Sequence, residues 1–309
     1  MSNELDFLSR SVAAQRLSRR DFLGRAAALG VAAPMASLLL SNAARAAGPV
    51  KGGTLKAGLV GGESTDGLDP AVINNQVKGT FARCWGEKLL DVAPDGSLVP
   101  FLATEYRASP DAKVWTFKIR KGVTFHNGKE LTAEDVRATI ERHAAEGSKS
   151  GALGVLRGID TLKADGDEFT VSLKEANADL PYLMTDYHLI IQPGGGVEAP
   201  ESGIGTGPYK IAAHEAGVRE IGARYDGYWA PDQRGHAEQV EITVINDSAA
   251  RMAALRSEQI HMMNRVEPKV IGLVKRLPGV SIQNITGSAH YTFAMQCITP
   301  PFDNNDLRL

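Results

Sequence analysis

Residues 115–136 read WTFKIRKGVTFHNGKELTAEDV. Trp115, Phe117 and Ile119 alternate with Thr116, Lys118 and Arg120, which predicts a strand with one apolar and one polar face. Lys121-Gly122 breaks that strand. His126-Asn127-Gly128 makes a second tight turn, in which Gly128 is free to take positive φ. Thr132 followed three residues later by Asp135 is a capping box in its Asp form, so a helix should start there. Over 132–146 the residues Val136, Ile140 and His143 fall on one helical stripe.

Working outward, Gly52–Gly58 reads as a strand, Gly67–Pro70 as a turn and Val77–Leu90 as a helix. Ile159–Ala164 and Glu168–Lys174 flank Asp165-Gly166-Asp167, a hairpin signal. A helix from about Ala178 leads to a strand at Leu189–Ile191. After Gly205-Thr206-Gly207-Pro208-Tyr209-Lys210 come two strands, then a strand at Val240–Ile245 and a helix at Asp247–Ser257. A helix at Pro268–Arg276 and strands at Val280–Ile285 and Tyr291–Ile298 complete the pattern. Strands and helices alternate irregularly, with hairpins between them, which predicts a mixed α/β architecture rather than a regular doubly wound one.

The chain has 309 residues, 43% hydrophobic and 23% charged, the composition of a globular protein of one large or two domains. At this length the core needs no staples. The first 46 residues hold six Arg against three acids, whereas the whole chain is −2. An acidic body without a basic, aromatic-interleaved stripe argues against nucleic acid as a partner.

Ser18-Arg19-Arg20-Asp21-Phe22-Leu23 matches a twin-arginine pattern. An apolar run at Ala26–Leu40 and the small-residue site Ala44-Arg45-Ala46 follow it. The expectation is an export signal over 1–46, cleaved after Ala46, that delivers the remainder to the periplasm. The 15-residue apolar run is shorter than the ~20 residues a membrane-spanning helix needs.

The seven His residues show no metal spacing, and no HExxH, P-loop or GxSxG is present, so neither metal, cofactor nor catalytic residues are expected. Gly203-Ile204-Gly205-Thr206-Gly207 lacks the strand, helix and third glycine of a dinucleotide fingerprint. His126 reads as a turn residue. Cys84 and Cys297 either pair in an oxidising compartment or remain thiols, and their spacing does not decide.

Seven segments, in order, resemble the bacterial solute-binding proteins of the dipeptide, oligopeptide and nickel type, family 5, the extracytoplasmic receptors of ABC importers. They are GGTLKAGL (52–59), LDPAVINNQ (68–76), DVAPDGSLVPFLATEYRASPDAKVWTFKIRKGVTFHNGKELTAEDV (91–136), GTGPYKI (205–211), RYDGYW (224–229), INDSAARMAALRSEQIHMM (245–263) and PPFDNNDLR (300–308). The resemblance implies a type II, peptide-binder class clamshell. Lobe one would span 47–295, with a subdomain near 75–190, and 296–309 would begin a hinge crossover. The second lobe is expected to be largely absent, because the chain stops just past PPFDNNDLR. No position then inherits the acidic residue that pairs with a peptide's α-amino group in relatives.

By the same resemblance, Asn74, Asn75 and Gln76 occupy a loop whose counterparts face the cleft. Their exposed amides suit the alternating donors and acceptors of a peptide backbone. Gly287, Ser288 and His290 would lie by the hinge, where small residues let a ligand backbone approach. From the residues alone, a polar surface loop and a plain pre-strand loop account for the two segments as well.

The resemblance implies a monomeric, non-enzymatic receptor. It would capture small peptides or a related solute and deliver them to the membrane permease. Nickel complexes, haem, glutathione and oligosaccharides are alternative ligands within the same family. An exported hydrolase without a recognisable motif, or a fragment that binds nothing, are the competing expectations.

Overall fold

The computed structural model describes residues 2–13, 17–32, 35–36, 39, 49–277, 279–284 and 296–307. Two units separate, Met1–Pro268 and Lys269–Leu309. Within the first, two helices precede the sheets: α1 (Ser2–Ala13) and α2 (Arg19–Ala28). Ser18 caps α2, accepting from the Asp21 amide at 3.1 Å and donating to its carboxylate at 2.6 Å. Leu8, Phe22, Ala26 and Ala36 form a small buried cluster there. Among the described residues no helix is long and apolar enough to cross a membrane.

The body is mixed α/β, as the sequence predicts. Its larger sheet contains β1 (Thr54–Leu59), β8 (Tyr209–Glu215), β9 (Arg219–Arg224), β10 (Gln239–Val244) and β11 (Met262–Met263). The strand order is β11-β1-β10-β9-β8. β1 runs parallel to both neighbours, while β10, β9 and β8 are antiparallel in turn. Three parallel strands therefore end together at one edge.

A second, antiparallel sheet has the order β4-β5-β7-β6. Its strands are β4 (Ala103–Ala108), β5 (Val114–Ile119), β6 (Ile159–Asp165) and β7 (Glu168–Leu173). β5 is the predicted alternating strand. Trp115, Phe117 and Ile119 are buried, and Phe117 opposes Phe169 of β7 with ring centroids 6.1 Å apart. A short hairpin, β2 (Leu90–Val92) and β3 (Leu98–Pro100), joins this sheet to the chain before it.

Two long helices flank the sheets, α3 (Gln76–Trp85) and α4 (Ala133–Ala144). The capping box is present at α4. The Thr132 amide donates to Asp135 at 2.9 Å, and the Asp135 amide donates back to the Thr132 hydroxyl at 3.3 Å. Val136, Ile140 and His143 are all fully buried on one stripe, as predicted. The short helices are α5 (Leu153–Leu156), α6 (Leu180–Leu183) and α8 (Ile271–Val274), and α7 (Ser248–Arg256) follows β10.

Several elements differ from expectation. The helix read over 77–90 ends at Trp85, because Gly86 turns to extended backbone (φ −124°, ψ 155°) and Ile190 packs where its side chain would be. Leu189–Ile191 is buried but forms no strand; the Ile191 amide bonds the Glu87 carbonyl at 2.9 Å. The helix read over 268–276 is a 3-10 turn at Pro268–Val270 and then α8. Residues 280–284 carry no strand, and 285–295 lie outside the described residues. Burial pushes the Cys84 thiol up to about 12.

Glu258, just past α7, holds φ +60°, a left-handed conformation that costs an L side chain about 1–2 kcal/mol. Part of that is offset by the extra freedom glycine has when unfolded. Glu258→Gly is therefore expected to raise stability by about 0.5–1 kcal/mol, read as a thermal midpoint roughly 1–2 °C higher. A lower midpoint would show that the glutamate contributes more than its strain costs.

Candidate functional site

In open α/β sheets ligands settle outside the carboxyl ends of the parallel strands. Here those ends belong to β1, β10 and β11, and the loops leaving them are rich in carboxamides. The Val60 amide donates to Asn264 Oδ1 at 3.0 Å, and the Gly61 amide to Asn246 Oδ1 at 2.9 Å. Asn264 in turn donates to Gln76 Oε1 at 2.5 Å. Asn75 caps α3, accepting from the Lys78 amide at 3.0 Å. Its Nδ2 donates to Asp66 at 2.8 Å and to Asn74 Oδ1 at 3.3 Å.

The structure thus brings Asn74, Asn75 and Gln76 to the strand ends, with Asn74 and Gln76 exposed. Gly287, Ser288 and His290 lie outside the described residues. Asn246, Asn264, Arg251 and Arg265 belong to the same edge and were not singled out from sequence. The available signal was position: a polar residue immediately after each short apolar strand of a parallel set.

The loop that carries Asn74–Gln76 is held from behind. Arg142 on α4 pairs with Asp69, and Glu201 accepts from the Leu68 and Asp69 amides. The Gly151 amide donates to the Ala71 carbonyl at 2.9 Å, Lys78 Nζ to that of Val72 at 2.8 Å and His188 Nε2 to that of Ile73 at 2.8 Å. His188 Nδ1 meets Asp186 at 2.7 Å. Both ring nitrogens are thus engaged. With its carbonyls bonded one after another, the loop is fixed before any ligand arrives.

The buried titratable groups support this scaffold. His143 lies beside Ser150, with Nδ1 at 2.6 Å from the hydroxyl; burial and then the Arg142 charge push its pKa down to about 4. Burial raises the Glu220 carboxyl, while its bond to His214 at 2.8 Å pulls it back. His126 donates from Nε2 to the Gly207 carbonyl at 2.8 Å and keeps a lowered pKa through burial; it anchors a turn, as expected. Among the described residues no three His, Cys, Asp or Glu side chains cluster to hold a metal ion.

This arrangement, a mixed α/β lobe with polar loops at parallel strand ends, defines a solute-binding fold. The family model described as "Bacterial extracellular solute-binding proteins, family 5 Middle" matches residues 97–309, and the chain belongs to that family. It is 26% identical to a "probable peptide ABC transporter periplasmic-binding protein" of Sinorhizobium fredii, over 93% of this chain and 56% of that one. It is 24% identical to a glutathione-binding protein of Pectobacterium atrosepticum, over 80% and 49%.

Among solved structures, AgaA of A. tumefaciens R10 in complex with agropinic acid aligns with TM-score 0.67 and 26% identity, over 73% of this chain and 46% of that one. DppA of Helicobacter pylori in complex with the peptide STSA shares the fold, with TM-score 0.66 and 22% identity, over 74% and 50%. The expected type II peptide-binder class of fold is therefore present. The chain spans about half the length of the curated relatives it matches.

Proposed function

We propose that the protein is the solute-capturing component of an ABC importer. Its mature part would bind small peptides or a related solute in the periplasm and deliver them to the membrane permease. The observation that carries this reading is the braced loop of exposed carboxamides at the parallel strand ends, in a chain of this family. On this reading Asn74, Asn75 and Gln76 contact the ligand main chain, and Gly287, Ser288 and His290 line the hinge side. Residues 47–295 serve as lobe one with a subdomain at about 75–190, and 296–309 as the start of the crossover. Residues 1–46 direct export by the twin-arginine route and are removed after Ala46, leaving a monomer without enzymatic activity.

A thermal-shift screen with di- to pentapeptides, nickel chelates and oligosaccharides tests this. A ligand at ~100 times its Kd adds ~2.7 kcal/mol, which at this size raises the midpoint by roughly 5 °C. Failure of every compound to shift the midpoint, or turnover of any of them, would overturn the reading.

A further inference from the structure

The carboxamides at the strand ends are oriented by backbone amides, which can only donate. Because the Val60 N–H requires an acceptor, Asn264 turns Oδ1 toward it and Nδ2 toward Gln76. Gln76 must then present Oε1 inward, which leaves its Nε2 facing outward. The Lys78 N–H fixes Asn75 in the same manner. Asn75 therefore spends its Nδ2 on Asp66 and Asn74 Oδ1, and Asn74 is left with a spare NH2. Asn246 has both ends of its amide engaged, accepting from Gly61 and donating one N–H to the Gly62 carbonyl at 3.2 Å. The surplus at this edge consists of donors.

Arg265 adds a cation to them. It follows Asn264 directly, is exposed, and holds φ +50°. Strain of this kind in a non-glycine residue persists only where the surroundings impose it. The Arg265 carbonyl accepts from Arg251 Nη2 at 3.5 Å. Arg251, 2% exposed, also donates to the Ile245 carbonyl at 2.6 Å. Among the described residues neither guanidinium is paired with a carboxylate. Asp66 is occupied by the Glu63 amide at 2.9 Å and by Asn75.

We propose that Asn74, Gln76 and Arg265 bind a carboxylate of the captured solute. This rests on the receptor reading above, and it makes Arg265 the residue that selects an acid over its neutral analogue. A peptide's terminal carboxylate and a free organic acid share this chemistry.

The test titrates the full 309-residue chain with a pool of tripeptides prepared once as free acids and once as C-terminal amides, and separately with glutarate. The free acids are expected to bind roughly 10- to 100-fold more tightly than the amides, the worth of a charge-assisted hydrogen bond. In Arg265→Gln that ratio should fall toward one, while Arg265→Lys retains part of it. A purely structural role for Arg265 would weaken both pools alike and leave the ratio intact. Binding of glutarate without peptides would identify a free acid as the anion's source and still support the site. Equal binding of acids and amides overturns the inference and leaves the receptor reading standing. Binding of neither pool nor of glutarate overturns the inference, and the receptor reading then stands or falls on the nickel chelates and oligosaccharides of the wider screen.

Discussion

Glu87→Leu is expected to destabilise the protein by about 3–5 kcal/mol and to lower its thermal midpoint by roughly 6–9 °C. Glu87 is 2% exposed. Its Oε1 accepts from the Tyr228 hydroxyl at 2.7 Å. Its Oε2 accepts from Trp229 Nε1 at 2.8 Å and from the Thr206 hydroxyl at 2.9 Å. Leucine fills the space but leaves three donors facing a hydrocarbon, each costing about 1–3 kcal/mol when unsatisfied, less whatever relaxation recovers. Three separate chain segments meet at this carboxylate, and rings close over it. Arg120 lies 4.3 Å over the Trp229 ring, and the Phe101 ring meets Trp229 edge-on at 5.5 Å.

Glu87→Gln separates hydrogen bonding from charge and is expected to stay within about 1 kcal/mol of the parent at mildly acidic pH. Burial raises the Glu87 carboxyl above its ordinary 4.5, and the three donors only partly pull it back. A raised folded-state pKa means that the folded protein binds the proton more tightly than the unfolded chain. Its contribution is therefore most favourable below about 4.5 and is lost as pH rises through the folded value. Melting against pH should show Gln gaining on Glu as pH climbs above about 4.5. A Leu variant that melts within about 2 °C of the parent would show that the knot contributes nothing net.

The local code was most legible where one physical cause dominates. The alternation over 115–119 and the Thr132–Asp135 pair each specify an element without tertiary help, and both are where the sequence puts them. The run Leu189–Ile191 was misread because a short apolar stretch signals burial, and burial does not require a strand partner. The helix over 77–90 overran because nothing in the sequence announces that Ile190 will pack against Gly86. At the candidate site, Asn74–Gln76 were legible only through resemblance. Asn246, Asn264 and Arg265 became visible when the sheet carried residues some 200 positions apart to one edge, as in the bond from Val60 to Asn264.

The same dependence on long-range placement makes Gly195 a sensitive position behind that edge. Gly194, Gly195 and Gly196 all hold left-handed backbone, at φ 58°, 72° and 68°. A Cβ on Gly195 would sit 2.5 Å from the Ala138 carbonyl carbon and 2.7 Å from the Thr139 nitrogen, both α4 backbone that cannot step aside. A Cβ on Gly194 would meet nothing within 4 Å. Gly194→Ala should therefore cost only the left-handed strain, about 1–2 kcal/mol. Gly195→Ala should add an overpacking cost and reach about 3–5 kcal/mol in all.

The functional consequence follows from what the turn holds. Gln192, at its start, accepts from Arg142 Nη1 at 3.2 Å, and Arg142 pairs with Asp69 at the root of the Asn74–Gln76 loop. Pushing the turn off α4 shifts Arg142 and loosens the loop, so the ligand must then supply ordering that the parent has in advance. Thermal-shift responses to a bound peptide should accordingly shrink in Gly195→Ala and persist in Gly194→Ala. Equal melting of the two variants would show that α4 yields to the new methyl group. A full ligand response from a strongly destabilised Gly195→Ala would disconnect the turn from the loop.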